Sequence, residues 1–272
     1  MSASRANWGM RTLRTVCCAA LAPVLLAQTA PVHDLLAVPR QRIETADYRV
    51  SGHLVWVQAN GARVSSPINI RAHWFPGVLR VLVEVGEAQK SAGASLLPGG
   101  PPATHALFEM RRSGQSAIWV AHPGDKSPIP LKFEEWDDGP LGPGLSYEDF
   151  LEEQYFWPEQ TEEGKERFGA RDCDVVTSRP GPADKTHYAE VKTWLDRNIG
   201  FPVYVEKTMK ETGLVKEYTY FGLRHDEGTW SAHQIEAKIH GQTGSTLLII
   251  DRGSAKAKLG IADFDPARLT RF

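Results

Sequence analysis

Four acidic residues, Glu134, Glu135, Asp137 and Asp138, lie close enough in the chain to offer the carboxylates that acid–base catalysis requires. They adjoin the Gly139-Pro140 and Gly142-Pro143 turns, where acids are ordinarily solvated. Among nine dispersed histidines, His53 and His73 form the best metal-binding pair, on what read as neighbouring strands with a shared polar face. Two imidazoles without a carboxylate or cysteine at matched spacing fall short of a ligand set. There is no Gly-x-Ser-x-Gly elbow and no His-Glu-x-x-His helix. Residues 137–144 are glycine-rich, but two prolines remove backbone N–H donors and no Lys-Ser or Lys-Thr follows, so a phosphate-binding loop is excluded. Tyr218, Tyr220 and Trp230 alternate on what read as adjacent strands. Cross-strand aromatic pairing accounts for them, and they would serve equally as a cavity wall. The chain is expected to be neither an enzyme nor a metalloprotein, and to need no cofactor.

The bulk composition agrees with a folded, non-nucleic-acid-binding protein. Of 272 residues, 42% are hydrophobic and 24% charged, enough for a core and too apolar for wholesale disorder. Residues 1–30 read as a secretory signal peptide. Arg5, Arg11 and Arg14 form a basic start, and Val16 to Ala27 an apolar run broken by Pro23. That run is too short to span a membrane, which takes roughly 20 apolar residues, and no later segment is longer. Cleavage would move the formal charge from −2 to −5, leaving 28 basic and 33 acidic residues. An acidic chain is a poor nucleic-acid binder. Cys17 and Cys18 stand at the start of the apolar run and not after it, so no lipid anchor is expected. Cys173 would then be the one remaining cysteine, a small buried residue on a strand.

Residues 31–272 read as a single domain dominated by strands. A lead-in at 31–41 has room for a turn or two of helix before Pro39 interrupts it. Tyr48, Val50, Leu54 and Trp56 alternate with polar residues, Asn60-Gly61 supplies a hairpin turn, and Ile68, Ile70, Ala72 and Trp74 continue on a second strand. Pro76-Gly77 turns the chain into a third, Leu79–Val85. Residues 87–104 have no period and read as a mobile flap. Strands resume at 105–112, 116–122 and 129–135. Ser146, with Asp149 three residues on, opens a short helix through a variant capping box, and 159–166 reads as a solvated charged loop. Further strands are expected at 171–178, 187–195, 201–210, 214–224, 228–240 and 244–252.

About eleven antiparallel strands cannot stay flat, because strand twist makes a broad sheet curl. One face becomes concave, and an apolar concave face must be covered. Two short helices are too little to cover it, so a hydrophobic cavity is expected. By alternation, Tyr48, Val50, Leu54, Trp56, Ile70, Trp74, Phe108 and Trp119 are the candidate cavity lining.

The second half also carries a recognisable order of segments. Leu145-Ser146-Tyr147-Glu148-Asp149-Phe150 precedes Cys173-Asp174-Val175-Val176, then Trp194-Leu195-Asp196, Gly200-Phe201-Pro202-Val203-Tyr204-Val205-Glu206 and the strand around Lys216–Phe221. This order resembles the outer-membrane lipoprotein-sorting protein family, the LolA/LolB-like superfamily of periplasmic carriers. The resemblance implies an unclosed β-barrel with a short helical lid or plug over an apolar cavity. It also implies a periplasmic location in a Gram-negative-type bacterium and non-catalytic binding of lipid or of the acyl chains of a lipoprotein. A cell-envelope sensor or interaction module with a protein partner is the alternative use of the same fold.

Overall fold

The chain makes one large antiparallel sheet in two halves: the first starts in the middle and runs out to one edge, and the second starts at the other edge and runs back to the middle. The structure is a computed structural model and describes residues 34–88, 102–112 and 115–272. Helix α1 (Ala37–Glu44) leads into the first half: β1 (Asp47–Val57), β2 (Arg63–Phe75), β3 (Val78–Val85), β4 (Thr104–Arg111), β5 (Ala117–Ala121) and β6 (Ile129–Pro130). The second half is β7 (Glu159–Phe168), β8 (Arg171–Arg179), β9 (Tyr188–Asp196), β10 (Pro202–Met209), β11 (Val215–Phe221), β14 (Gln234–Ile239) and β15 (Ser245–Ser254). A small hairpin, β12 (Arg224–Asp226) with β13 (Thr229–Ser231), stands apart from the sheet between β11 and β14.

The order across the sheet is β6-β5-β4-β3-β2-β1-β15-β14-β11-β10-β9-β8-β7. Each half is a meander of neighbouring strands, and the halves join where β1 pairs with β15, Leu54 opposite Leu248 and Trp56 opposite Thr246. The two edges, β6 and β7, do not meet, so the barrel is open. This order has a direct consequence. The chain finishes β6 at one edge and must begin β7 at the other, so residues 131–158 have to cross the width of the sheet. They cross on its inner face, and that passage is the plug.

The plug is held by packing. Trp136, Leu141, Tyr147, Leu151 and Tyr155 join Leu54, Ile68, Val83, Phe108, Ile118 and Val120 from the inner face in one buried cluster. The outer face is covered over β3–β5 by the C-terminal stretch, whose Leu259, Phe264 and Leu269 pack on Leu82, Leu107 and Ala121. Among the described residues, no helix is long and apolar enough to cross a membrane.

Several expectations are corrected. Pro39 does not interrupt the lead-in helix: it sits in the first turn of α1, where an N–H has no intrahelical acceptor, and it is buried together with Ile43. The Ser146 element is a four-residue 3-10 turn, Tyr147–Phe150, followed by another at Glu153–Tyr155. Residues 159–166 belong to edge strand β7, whose charges stay exposed because neither of its faces is buried. The strand at 129–135 ends at Pro130, with a 3-10 turn at Phe133–Glu135. The single strand expected at 228–240 is divided between β13 and β14. Among the described residues the main sheet has thirteen strands. The signal-peptide segment 1–30 and most of the 87–104 flap lie outside the described residues.

Candidate functional site

The plug fills the inner face only in part. Its path is set by contacts that admit no side chain. Gly144, at φ +77°, passes so close to β14 that a Cβ there would sit 2.6 Å from the Lys238 backbone nitrogen. The plug backbone then accepts hydrogen bonds from the sheet. Trp56 Nε1 donates to Leu141 O at 2.6 Å, Tyr218 Oη to Gly144 O at 2.8 Å and Thr246 Oγ1 to Pro143 O at 2.9 Å. These glycines and the neighbouring prolines, read in the sequence as loop formers, let the chain lie flat on the strands.

Beside the plug an open cavity of about 340 Å3 remains, within the roughly 300–1,000 Å3 usual for small-molecule sites. Its walls are Val50 of β1, Ile70 of β2, Val81 of β3, Ile235 and Ala237 of β14, and Leu248 and Ile250 of β15, with Leu145 and Phe150 from the plug. Its mouth lies at the α1 end of the sheet, between Thr45–Asp47, the β12–β13 hairpin and Gly253–Ala255. Glu227 at the hairpin tip accepts hydrogen bonds from Ser254 Oγ at 3.0 Å and Ala255 N–H at 2.6 Å, which ties the hairpin to the end of β15.

Besides the charged residues Asp47, Arg224, Asp226 and Glu227, two ion pairs face this cavity. At the deep end Lys207 Nζ lies 2.9 Å from Asp149 Oδ1. Asp149 also accepts from Tyr188 Oη at 2.6 Å, Ser146 N–H at 2.8 Å and Ser146 Oγ at 2.9 Å, and Lys216 Nζ approaches it at 3.6 Å. Burial pushes the Asp149 carboxyl up, but Lys207, Lys216 and these hydrogen bonds outweigh it and hold it well below the usual carboxylate range. Lys216 Nζ completes the group at 2.6 Å from Asp137. At the mouth end Arg42 of α1 grips Glu152 of the plug through both carboxylate oxygens, at 2.7 and 2.8 Å, and lies 6.0 Å over the Phe201 ring.

The expected lining residues divide by depth and by face. Tyr48, Val50 and Ile70 line the cavity. Leu54 and Phe108 point to the same face but are sealed into the core, Phe108 stacked on Phe150 at 5.2 Å. Trp56 is engaged by the plug backbone, and Trp74 stacks on Phe156 at 6.5 Å. Trp119 packs on the outer face with the C-terminal stretch, while its neighbours Ile118 and Val120 face inward. Tyr218, Tyr220 and Trp230 all line the cavity, but Trp230 does so from the hairpin, with its ring 5.1 Å from His225. His53 and His73 do not meet. His73 lies opposite Asp47, six residues and roughly 20 Å along β1 from His53, and each pairs with an aspartate, Asp251 and Asp47. Among the described residues no group of three metal-ligating side chains is assembled. The acids at 134–138 are likewise dispersed: Asp137 pairs with Lys216 and Glu135 caps Lys132.

Lys207, Arg42 and Glu152 were not singled out in the sequence. A lysine on an otherwise apolar inner face, between Val205 and Met209, was the one signal available.

Comparison with known proteins places this geometry. The model of a family described as "Uncharacterized protein" matches residues 104–271, more than half of the chain. No curated protein matches the sequence. Among solved structures, a DUF1329 family protein from Desulfovibrio piger is 16% identical with a TM-score of 0.73, covering 87% of this chain and 97% of its own. A domain named for outer membrane lipoprotein sorting, from Vibrio parahaemolyticus, is 18% identical with a TM-score of 0.71, covering 87% and 98%. A LolA superfamily protein from Nitrosomonas europaea is 14% identical with a TM-score of 0.56, covering 82% and 92%.

Proposed function

The chain belongs to the family whose model matches residues 104–271 and has the open-barrel fold of LolA-superfamily proteins, and from that footing we propose that it is a non-catalytic carrier of lipid or of lipoprotein acyl chains. The observation that carries this reading is the cavity: the plug covers much of the inner face yet leaves an apolar space of about 340 Å3 that opens at one end of the sheet. Val50, Ile70, Ile235 and Leu248 would contact the hydrocarbon. Burial of a few hundred Å2 of acyl chain, at roughly 25 cal/mol per Å2, gives several kcal/mol before ordering costs. That strength suits a protein that must also release its cargo.

The same reading makes residues 1–30 a signal peptide, 31–272 one carrier domain, and the site of action the periplasm. The fold neighbours named for lipoprotein sorting support an envelope role. The test is native mass spectrometry of protein purified from its source membranes without detergent. A co-purifying lipid mass supports the carrier; consistently empty protein contradicts it.

A further inference from the structure

The side chains that hold the plug down fall on one line across the sheet. Trp56 of β1 lies opposite Thr246 of β15, Thr246 opposite Ala237 of β14, and Ala237 opposite Tyr218 of β11. Within this row Trp56, Thr246 and Tyr218 donate to Leu141 O, Pro143 O and Gly144 O. The plug backbone is thus stitched along a single register row. Two residues nearer the mouth, Leu248, Ile235 and Tyr220 are register partners in the same way, and that row lines the open cavity. The apolar space therefore ends where the plug is stitched down. The Asp149–Lys207 pair, with side chains 1% and 6% exposed, closes the same end. Hydrocarbon going deeper would have to break one of these hydrogen bonds or part a buried ion pair, which costs more than a methylene gains. At the mouth the β12–β13 hairpin sets Arg224 opposite Ser231 and Asp226 opposite Thr229, and all four border the opening.

We propose that the stitched row is a chain-length stop, and that the cavity takes one acyl chain of a single-chain amphiphile whose polar head stays at the hairpin rim. This rests on the lipid-binding reading and deepens it. A methylene fills roughly the 30 Å3 that a liquid water takes, so a space of about 340 Å3 holds about eleven carbons. That is one medium-length chain, and it leaves no room for a second. The chain lies against Val50, Ile235 and Leu248, and its end meets Ala237 and Thr246. Carbons beyond that number stay in the mouth, among polar residues and water, and add little to binding. Ala237 sets the depth at the stop, because it is the one member of the row that sends no side-chain donor to the plug and it lines the cavity.

The experiment is isothermal titration of the delipidated full chain with octanoyl, decanoyl, lauroyl, myristoyl and palmitoyl lysophosphatidylcholine and with didecanoylphosphatidylcholine, each below its micelle threshold. Wild type is expected to gain about tenfold in affinity per added pair of carbons up to lauroyl, and less than about threefold in all from lauroyl to palmitoyl. The two-chain probe should bind no more than about threefold more tightly than decanoyl lysophosphatidylcholine, because its second chain stays outside. Ala237→Val raises the floor and should flatten the series from decanoyl onward. Ile235→Ala enlarges the space and should carry the rise on to myristoyl, and a thermal melt on each variant checks that it is folded. A tenfold rise that continues to palmitoyl, a two-chain probe that binds far more tightly than its one-chain counterpart, or a break that stays at lauroyl in both folded variants overturns the stop and leaves the lipid cavity standing. Binding of none of the probes overturns the lipid-binding reading and the stop with it.

Discussion

Asp149 and Lys207, one from the plug and one from β10, meet at 2.9 Å inside the sheet with side chains only 1% and 6% exposed. The pair fastens the crossing segment to the second half of the sheet at the floor of the cavity. Lys207 also lies over the Tyr188 and Tyr218 rings, at 5.1 and 4.9 Å. A carboxylate so placed is tolerable only while its partners stay charged and bonded to it.

Asp149→Ala should therefore strand the buried Lys207 ammonium, while Lys216 keeps Asp137 at 2.6 Å, and lower the unfolding free energy by about 3–5 kcal/mol in a urea titration at pH 7. Replacing both partners, Asp149→Leu with Lys207→Met, should recover part of that loss. The folded-state pKa of Asp149 is depressed, so its contribution is complete above the unfolded value near 3.9 and is lost as pH falls below it. The gap between wild type and Asp149→Ala should stay level from pH 5 to 8 and shrink below about pH 4. An Asp149→Ala protein as stable as wild type would contradict this role.

Glu153 works in the opposite sense. Burial pushes its carboxyl up to about 7, against the hydrogen bond from Ser116, with Glu148 and Asp184 adding to the rise. The unfolded chain ionises this group near 4.3, while the folded chain holds the proton to about pH 7. Stability from this residue is thus present below about pH 4 and falls as pH rises to neutrality. In thermal melts between pH 5 and 8, Glu153→Gln should lose less stability with rising pH than wild type. Parallel pH profiles would contradict the assignment.

Gly144→Ala tests how tightly the plug lies on the sheet. The substitution forces a Cβ to within 2.6 Å of the Lys238 backbone at a left-handed φ of +77°. The plug must lift, weakening the Tyr218–Gly144 hydrogen bond. The urea midpoint should fall by an amount equivalent to about 1–3 kcal/mol, with faster amide exchange over residues 141–150. An unchanged midpoint and unchanged exchange would show that the plug is not pinned there.

The sequence carried the architecture better than the site, for physical reasons. Alternation puts Tyr48, Val50 and Ile70 on one face, and all three border one cavity, because strand parity is a local property. It says nothing about depth. Leu54 and Phe108 share that face but lie under the plug, whose course depends on where both sheet edges fall. On β5 the alternation that put Trp119 with the lining leaves parity open by one residue: Ile118 and Val120 pack inward, and Trp119 packs against the C-terminal stretch. Edge strand β7 carried no period to read, since exposed charges alternate with exposed charges. Ser146 and Asp149 were legible as a cap, and the cap is there, but that Asp149 also neutralises Lys207 and Lys216 required contacts spanning 58 and 67 residues. Arg42 and Glu152, 110 residues apart, were invisible for the same reason.

The measurement that bears most directly on the carrier account is lipid occupancy of wild type against Leu248→Glu, by native mass spectrometry of detergent-free protein with a thermal melt on each. Leu248 lines the cavity from the middle of the sheet, so a carboxylate there spoils an acyl chain's surroundings while reaching the water of the open mouth. The account predicts bound lipid on wild type, at least a tenfold loss of occupancy in Leu248→Glu, and melting temperatures within a few degrees of each other. Equal occupancy in both proteins would contradict the cavity as the binding site, and empty wild type would contradict the carrier.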